Sequence, residues 1–316
     1  MTYIYAFLKY SMPIRIPTHL PAKHKLEKEN IFVMPEDRAV HQDIRTLEVV
    51  LLNLMPNKID TETQLMRLLG NTPLQINITL LTTASYRSRN TSEEHLLNFY
   101  QTWDQIKDRK FDGLIITGAP IEQLPWEEVA YWKELENILD WSCTHVWSCF
   151  FICWGAQAAL HHFHGIEKYD LTQKKFGVFN HKRLKKDSIL LRGFDEEFHV
   201  PVSRHTEVRR ADIEKVPDLD ILSESDDSGL YIVRDKSTRR LYVFNHSEYE
   251  ADSLKKEYDR DMEKNLAVEK PENYFPDDDP NNKPVLSWRA HSNLLYNNWL
   301  NYYVYQSTPF DINKID

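Results

Sequence analysis

Four short apolar runs, each closed by turn residues and followed by a helical pattern, restrict the fold of this 316-residue chain more than any other feature. They are Leu47–Met55, Leu74–Thr83, Phe111–Thr117 and the aromatic Val146–Ile152. The first is apolar on both faces, as a parallel strand covered by helices must be. Thr61 and Gln64 form a capping-box pair for a helix to Leu69, with Gly70 as its stop. Thr91 and Glu94 open another, running to Lys110 with Leu96, Leu97, Tyr100, Trp103 and Ile106 on its apolar face. Helices are also expected over Trp126–Trp141 and directly after Cys153. Strands alternating with helices in this way predict right-handed crossovers and a doubly wound, mostly parallel α/β sheet flanked by helices.

Beyond His164 the pattern loosens. Gly165–Arg192 reads as turns and solvated basic clusters, followed by strand-like pieces at His199–Val202, Ile221–Ser225, Leu230–Arg234 and Leu241–Asn245. A helix is expected over Asp252–Leu266, a loop over Pro271–Pro284, and an aromatic helix over Trp288–Tyr305, packed on the sheet or at a homodimer contact. Residues 1–45 read as an N-terminal segment wrapping the surface, and 46–311 as a single domain with a C-terminal elaboration. A net charge of −9 argues against a nucleic-acid partner or an anionic membrane surface. No apolar run approaches the length of a membrane span. Three cysteines form no paired framework, and the N-terminus lacks signal-peptide features, so a reducing cytoplasm is expected.

The chemistry points to Cys153. It falls where a buried strand turns into a helix of small residues, Gly155-Ala156-Gln157-Ala158-Ala159, so the thiol faces the positive end of that helix, which favours thiolate. This is a nucleophile elbow with Cys in place of Ser. In open α/β sheets ligands gather beyond the carboxyl ends of strands, and Lys58, Gly118-Ala119-Pro120 and His246-Ser247-Glu248 all lie at such ends. Alone, each reads as an ordinary surface lysine, a turn or a satisfied histidine. Together they supply a nucleophile, a base with an orienting carboxylate, and oxyanion donors. His161, His162 and His164 close a helix without a Cys or carboxylate at a metal-ligand spacing, so no metal is expected. Cys143 and Cys149 read as small hydrophobes.

Cys153-Trp154-Gly155-Ala156-Gln157 fits the elbow of class I glutamine amidotransferases, and His246-x-Glu248 resembles their His-Pro-Glu. A closer resemblance runs from Met12 to Asp311. The segments Leu51–Gln75, Phe111–Pro120, Phe151–Leu160, His246–Glu250, Glu257–Asp261, Asn273–Pro280 and Asn297–Pro309 look like the homoserine O-acyltransferase family of methionine biosynthesis, whose fold is amidotransferase-like and flavodoxin-like. The resemblance implies transfer of an acyl group from acyl-CoA to Cys153 and then to L-homoserine. His246 would be the base and Glu248 its orienter, with no cofactor beyond acetyl-CoA as co-substrate. It places an acyl-CoA or oxyanion role on Lys58, substrate contacts on Lys174, Ser203 and Arg260, and acyl specificity on Glu122 and Ser203.

A carboxylate at 122, two residues past Gly-Ala-Pro, would repel the second carboxylate of a succinyl group and fill its space, so acetyl-CoA is the expected donor. Succinyl-CoA is the alternative. Asn245 and Ser247 replace the family's frequent Gly and Pro around the histidine, and Phe176 interrupts a Leu-Ser-Gly stretch. A glutamine amidotransferase, or a binding protein with an idle cysteine, would share the same residues. Glutaminase activity would mark the first, and failure to form an acyl adduct the second.

Overall fold

The computed structural model describes residues 14–16, 20–28, 34–35, 45–85, 91–264 and 268–315. Its strands are β1 (Ile14–Ile16), β2 (Met34–Pro35), β3 (Leu47–Leu52), β4 (Ile76–Leu81), β5 (Tyr100–Gln101), β6 (Phe111–Ile116), β7 (Val146–Ile152), β8 (Tyr169–Arg183), β9 (Glu197–Glu207), β10 (Leu219–Ser225), β11 (Gly229–Asp235) and β12 (Arg240–Val243). They form one sheet in the order β2-β1-β4-β3-β6-β7-β12-β11-β10-β8-β9, with β5 also on β4. Neighbours from β2 to β12 are parallel. From β12 to β9 they are antiparallel. The doubly wound parallel sheet expected from the sequence is therefore present, and the C-terminal elaboration extends it rather than standing apart.

Alternation along the central strands divides the core between two faces. Val49 and Leu51 of β3 and Phe150 and Ile152 of β7 join Leu65, Tyr296 and Trp299 on one face. Val50, Leu52 and Phe151 meet Leu135, Trp154 and Leu160 on the other. Helix Lys58–Leu69 crosses from β3 to β4 and helix Trp132–His145 from β6 to β7. Of the N-terminal segment 1–45, residues 1–13, 17–19, 29–33 and 36–44 lie outside the described residues. The pieces β1 and β2 extend the sheet at its parallel edge, and helix Pro21–Lys28 buries Ala22 and Leu26.

Several local expectations are corrected. The first helix begins at Lys58, before Thr61; Asn57 is its cap, and Thr61 Oγ1 donates to Asn57 O. The second breaks into Glu93–Phe99, capped by Ser92, and Trp103–Ile106, because Tyr100 leaves the helix to pair with β4 and to bond Glu62. Leu97, assigned to an apolar face, is exposed. Trp126–Glu128 is a separate 3-10 turn before the next helix. The supposed loop Gly165–Arg192 holds β8, the longest described strand; its N-terminal half is exposed or half-buried, so apolar alternation could not announce it.

The terminal aromatic helix is α-helical over Arg289–Asn298 and π-helical over Trp299–Tyr305. Its large side chains cover the sheet: Trp299 is fully buried, donates Nε1 to Ser148 Oγ at 3.0 Å, and lies 3.1 Å from where a Cβ on Gly113 would stand. Trp299→Ala should therefore cost about 3–5 kcal/mol, read as a lower denaturant midpoint with an unchanged slope.

Candidate active site

The turn from β7 into helix Trp154–His164 builds the site. Cys153 holds φ 50° and ψ −117°, the dihedrals of the first central residue of a type II′ turn, where glycine is usual. Such a backbone costs about 1–3 kcal/mol and persists only where its surroundings enforce it. Cys153 N–H donates to Val243 O at 2.7 Å, continuing the β7–β12 ladder one residue further. The helix packs so close to β6 that a Cβ on Gly155 would stand 2.7 Å from Thr117 O, and one on Gly118 would stand 3.2 Å from Cys153 Cβ. Ala156 and Gln157 N–H donate to Cys153 O at 3.0 and 3.2 Å, while the N–H groups of Trp154 and Gly155 at the helix start have no acceptor within the helix, so they and the helix dipole present positive potential at the thiol. Cys149, by contrast, is sealed in the core, where burial pushes its thiol up to about 11. Cys143 accepts from Arg240 at 3.0 Å.

The partner imidazole arrives from β12. That strand runs parallel to β7 with Val243 opposite Ile152, so the chain beyond it emerges beside Cys153. His246 N–H donates to Pro201 O at 3.0 Å, tying the segment to β9. Its Nδ1 lies 2.6 Å from Glu248 Oε1, and the imidazole and the Cys153 thiol line the same cavity. The Tyr249 ring stacks on the imidazole at 4.3 Å and 17°. Burial would lower the His246 pKa, but the charge of a Cys153 thiolate, then that of Glu248, hold it well above the ordinary value. The residues that depart from the family pattern are engaged nearby: Ser247 Oγ with Tyr231 OH, and Asn245 with Arg204 and His181.

Cys153 and His246 open into a cavity of about 470 Å³ that Gly118, Ala119, Pro120, Glu122, Lys174, Ser203 and Arg260 also line. Glu248 stands behind His246. Lys58, expected in the same site, instead lines an adjoining cavity of about 270 Å³. It is buried, donates Nζ to Asn53 O, and lies over the Tyr100 ring. Burial brings its ammonium down to about 8, against the pull of Glu62. The three clustered histidines disperse, His161 to Glu167, His162 to Asp140 and His164 to Tyr242.

Residues missed in the sequence complete the walls. Glu257 accepts from Ser203 Oγ at 2.6 Å and Tyr249 OH at 2.7 Å, and pairs with Lys174 at 3.3 Å. Burial opposes its ionisation, yet the Lys174 charge and these two hydrogen bonds hold its pKa below the usual value. Asp261 pairs with Arg260 at 2.7 Å. Glu257 lies three residues before Arg260, one helix face, and that spacing was its available signal. Gln157 of the elbow motif donates to Thr206 O and accepts from Thr206 Oγ1 at 2.9 Å; the same hydroxyl meets Glu122 Oε2 at 3.3 Å. Burial raises the Glu122 pKa, opposed by a hydrogen bond from the His205 backbone and by nearby positive charge.

Because the imidazole value is raised, the stability it lends is full below the unfolded value of about 6.5 and is lost as pH climbs through the folded value. Removing the thiolate with Cys153→Ala should lower the His246 pKa, measured by NMR titration of labelled histidine, and narrow that window from its alkaline side.

A profile of the homoserine O-succinyltransferase family matches residues 13–310. A homoserine O-acetyltransferase of Acetivibrio thermocellus is 60% identical over 304 residues, 96% of this chain and 100% of that protein. One of Petrotoga mobilis is 57% identical over 305 residues, 96% of this chain and 99% of that protein. Among solved structures, a glutamine amidotransferase of Thermotoga maritima superposes with a TM-score of 0.52 at 11% identity, covering 82% of this chain and 98% of that one. Another, of Methylobacillus flagellatus, gives 0.51 at 12%, covering 81% and 95%. These two likenesses identify an amidotransferase-type fold. The profile and the near relatives, both spanning almost the whole chain, show that it belongs to the homoserine O-succinyltransferase family.

Proposed function

We propose that the chain is a homoserine O-acetyltransferase of methionine biosynthesis working through an acetyl-cysteine. The observation that carries this reading is a cysteine at a strained elbow that shares one cavity with a histidine oriented by a buried glutamate, with charged groups to one side. The Cys153 thiolate attacks the acetyl-CoA carbonyl carbon. The C–S bond to CoA breaks, and the leaving thiolate takes the proton from His246. The homoserine hydroxyl then gives its proton to His246 while its oxygen attacks the acetyl carbon, and Cys153 leaves as thiolate. Glu248 holds the imidazole in one orientation and stabilises its charged form. The first N–H groups of the helix and the Gly118-Ala119 turn surround the position an oxyanion would take.

Homoserine is a zwitterion. Arg260 and Lys174 suit its carboxylate, Glu257 suits its ammonium group, and Ser203 is poised between Glu257 and the acyl group. The acyl donor approaches from the Lys58 side. No helix among the described residues is long and apolar enough to cross a membrane, and the reading places the enzyme in the cytoplasm, acting on small molecules without a resident cofactor.

The family profile is named for succinyl transfer, whereas the near relatives are named for acetyl transfer. Glu122 favours the acetyl donor, since Thr206, itself bonded to Gln157, holds its carboxyl at the cavity wall, where a succinyl carboxylate would meet both its bulk and its charge. Mixing the protein with acetyl-CoA should leave an acetyl adduct on Cys153, found by mass spectrometry and absent in Cys153→Ala; an unmodified cysteine sinks the mechanism. Wild type should have the higher kcat/KM with acetyl-CoA, Glu122→Gly should shift the preference toward succinyl-CoA, and Glu122→Gln, which keeps bulk but not charge, should fall between. A wild type that prefers succinyl-CoA overturns the donor assignment.

A further inference from the structure

We infer that the 270 Å³ cavity beside the reaction chamber seats the pantetheine arm of the acyl-CoA, an assignment that rests on the acyltransferase reading above. The two cavities share Met55, Pro56, Ala119, Pro120, Ile121 and Leu124, so they are separated only by a common wall at the strand ends. A thioester whose carbonyl lies at Cys153 must run its chain out of the chamber in some direction. Two directions differ sharply in chemistry.

On one side stand Lys174, Glu257, Arg260 and Asp261, already paired with one another. Covering those charges with an uncharged chain would strip their water without replacing it. On the other side the smaller cavity is walled by Leu54, Val129 and Tyr131, with Asn53, Thr82, Thr83 and Lys58 as its polar points and one exposed carboxylate, Glu128, in its lining. Pantetheine has the matching pattern: two uncharged amides spaced by methylenes, ending in a dimethyl carbon. An apolar passage with a few fixed donors and acceptors is what such a chain requires.

Lys58 gives the cavity its specific feature. Its ammonium has three donors, and one is committed to Asn53 O. Asn53 in turn donates from Nδ2 to Tyr100 OH at 3.0 Å, and Tyr100 OH donates to the fully buried Glu62. His95 Nε2 lies 2.9 Å from the same Glu62 oxygen. The lysine is thus fixed from below, and its remaining N–H groups are placed to meet an amide carbonyl of the arm. Burial, which makes the ammonium easier to deprotonate, also makes it gain more from such an acceptor. On this assignment Lys58 binds the donor's chain and does not itself touch the reacting carbon.

The test compares acetyl donors of decreasing length. Acetylation of Cys153 by acetyl-CoA, S-acetylpantetheine and S-acetyl-N-acetylcysteamine is followed by mass spectrometry and by thiol release. The last compound keeps one amide but leaves the apolar walls uncovered. Wild type should favour S-acetylpantetheine over it by at least about tenfold in second-order rate, because binding of the remote chain is realised in the transition state. Ala130 lies exposed at the rim of the cavity, and Ala130→Trp should reduce that advantage to within about twofold by occupying the passage. A wild type that does not distinguish the two donors, or an Ala130→Trp protein that keeps the full ratio, overturns the assignment. The truncation series in wild type decides the matter alone if the tryptophan variant fails to fold. If no acetyl thioester of any length modifies Cys153, the acyltransferase reading has failed and takes this inference with it, an outcome distinct from the other two.

Discussion

The parallel pairing of β7 with β12 is the interaction on which the rest of the site depends. Cys153 and His246 stand 93 positions apart in the chain, and it is the ladder between Val146–Ile152 and Arg240–Val243 that brings them to the same edge. The bond from Cys153 N–H to Val243 O carries the ladder into the turn. A slip of one residue would exchange the faces on which successive side chains lie, and would separate the thiol from the imidazole. The register is protected by burial on both faces, since Phe150 and Phe151 sit in opposite halves of the core. Stability and chemistry are written into the same strand.

The antiparallel half then supplies what a bare elbow lacks. Ser203 lies opposite Phe176 across the β8–β9 pair, with Lys174 just before it, and helix Ser253–Glu263 brings Glu257 and Arg260 over them. Glu257 bonds three of the surrounding groups, so the charged wall behaves as one unit around a single carboxylate. A third small core of Phe176, Val178, Leu254, Tyr274, Phe275 and Trp288 supports that wall from behind. The nucleophile is thus set by the parallel half of the sheet, and the charged wall by its extension.

Much of this was legible in the sequence where burial is complete. The strands β3, β4, β6 and β7 are nearly continuous apolar runs, and the small residues after Cys153 mark the elbow because a close helix start leaves no room for larger ones. Cys153, His246 and Glu248 were readable as strand-end residues. The β8 strand was not, because its exposed face carries Lys and Gln and its apolar face is short. Lys58 was readable as a strand-end lysine, but its burial depends on Tyr100, some forty positions on, closing over Asn53 and Glu62, which no local pattern encodes. Glu257 was hidden for a related reason, lying in a run of alternating charges that looks solvated until the sheet is folded beneath it.

The conformation of Cys153 has a consequence for how such a chain can change over time. Its positive φ suits glycine better than any residue with a side chain, so the thiol is kept against a constant bias of the backbone. Losing the cysteine to glycine would relax the turn and leave a firmer but inert protein. Lineages released from the need for the reaction would be expected to drift toward that firmer state, preserving the architecture as a scaffold after its chemistry has gone.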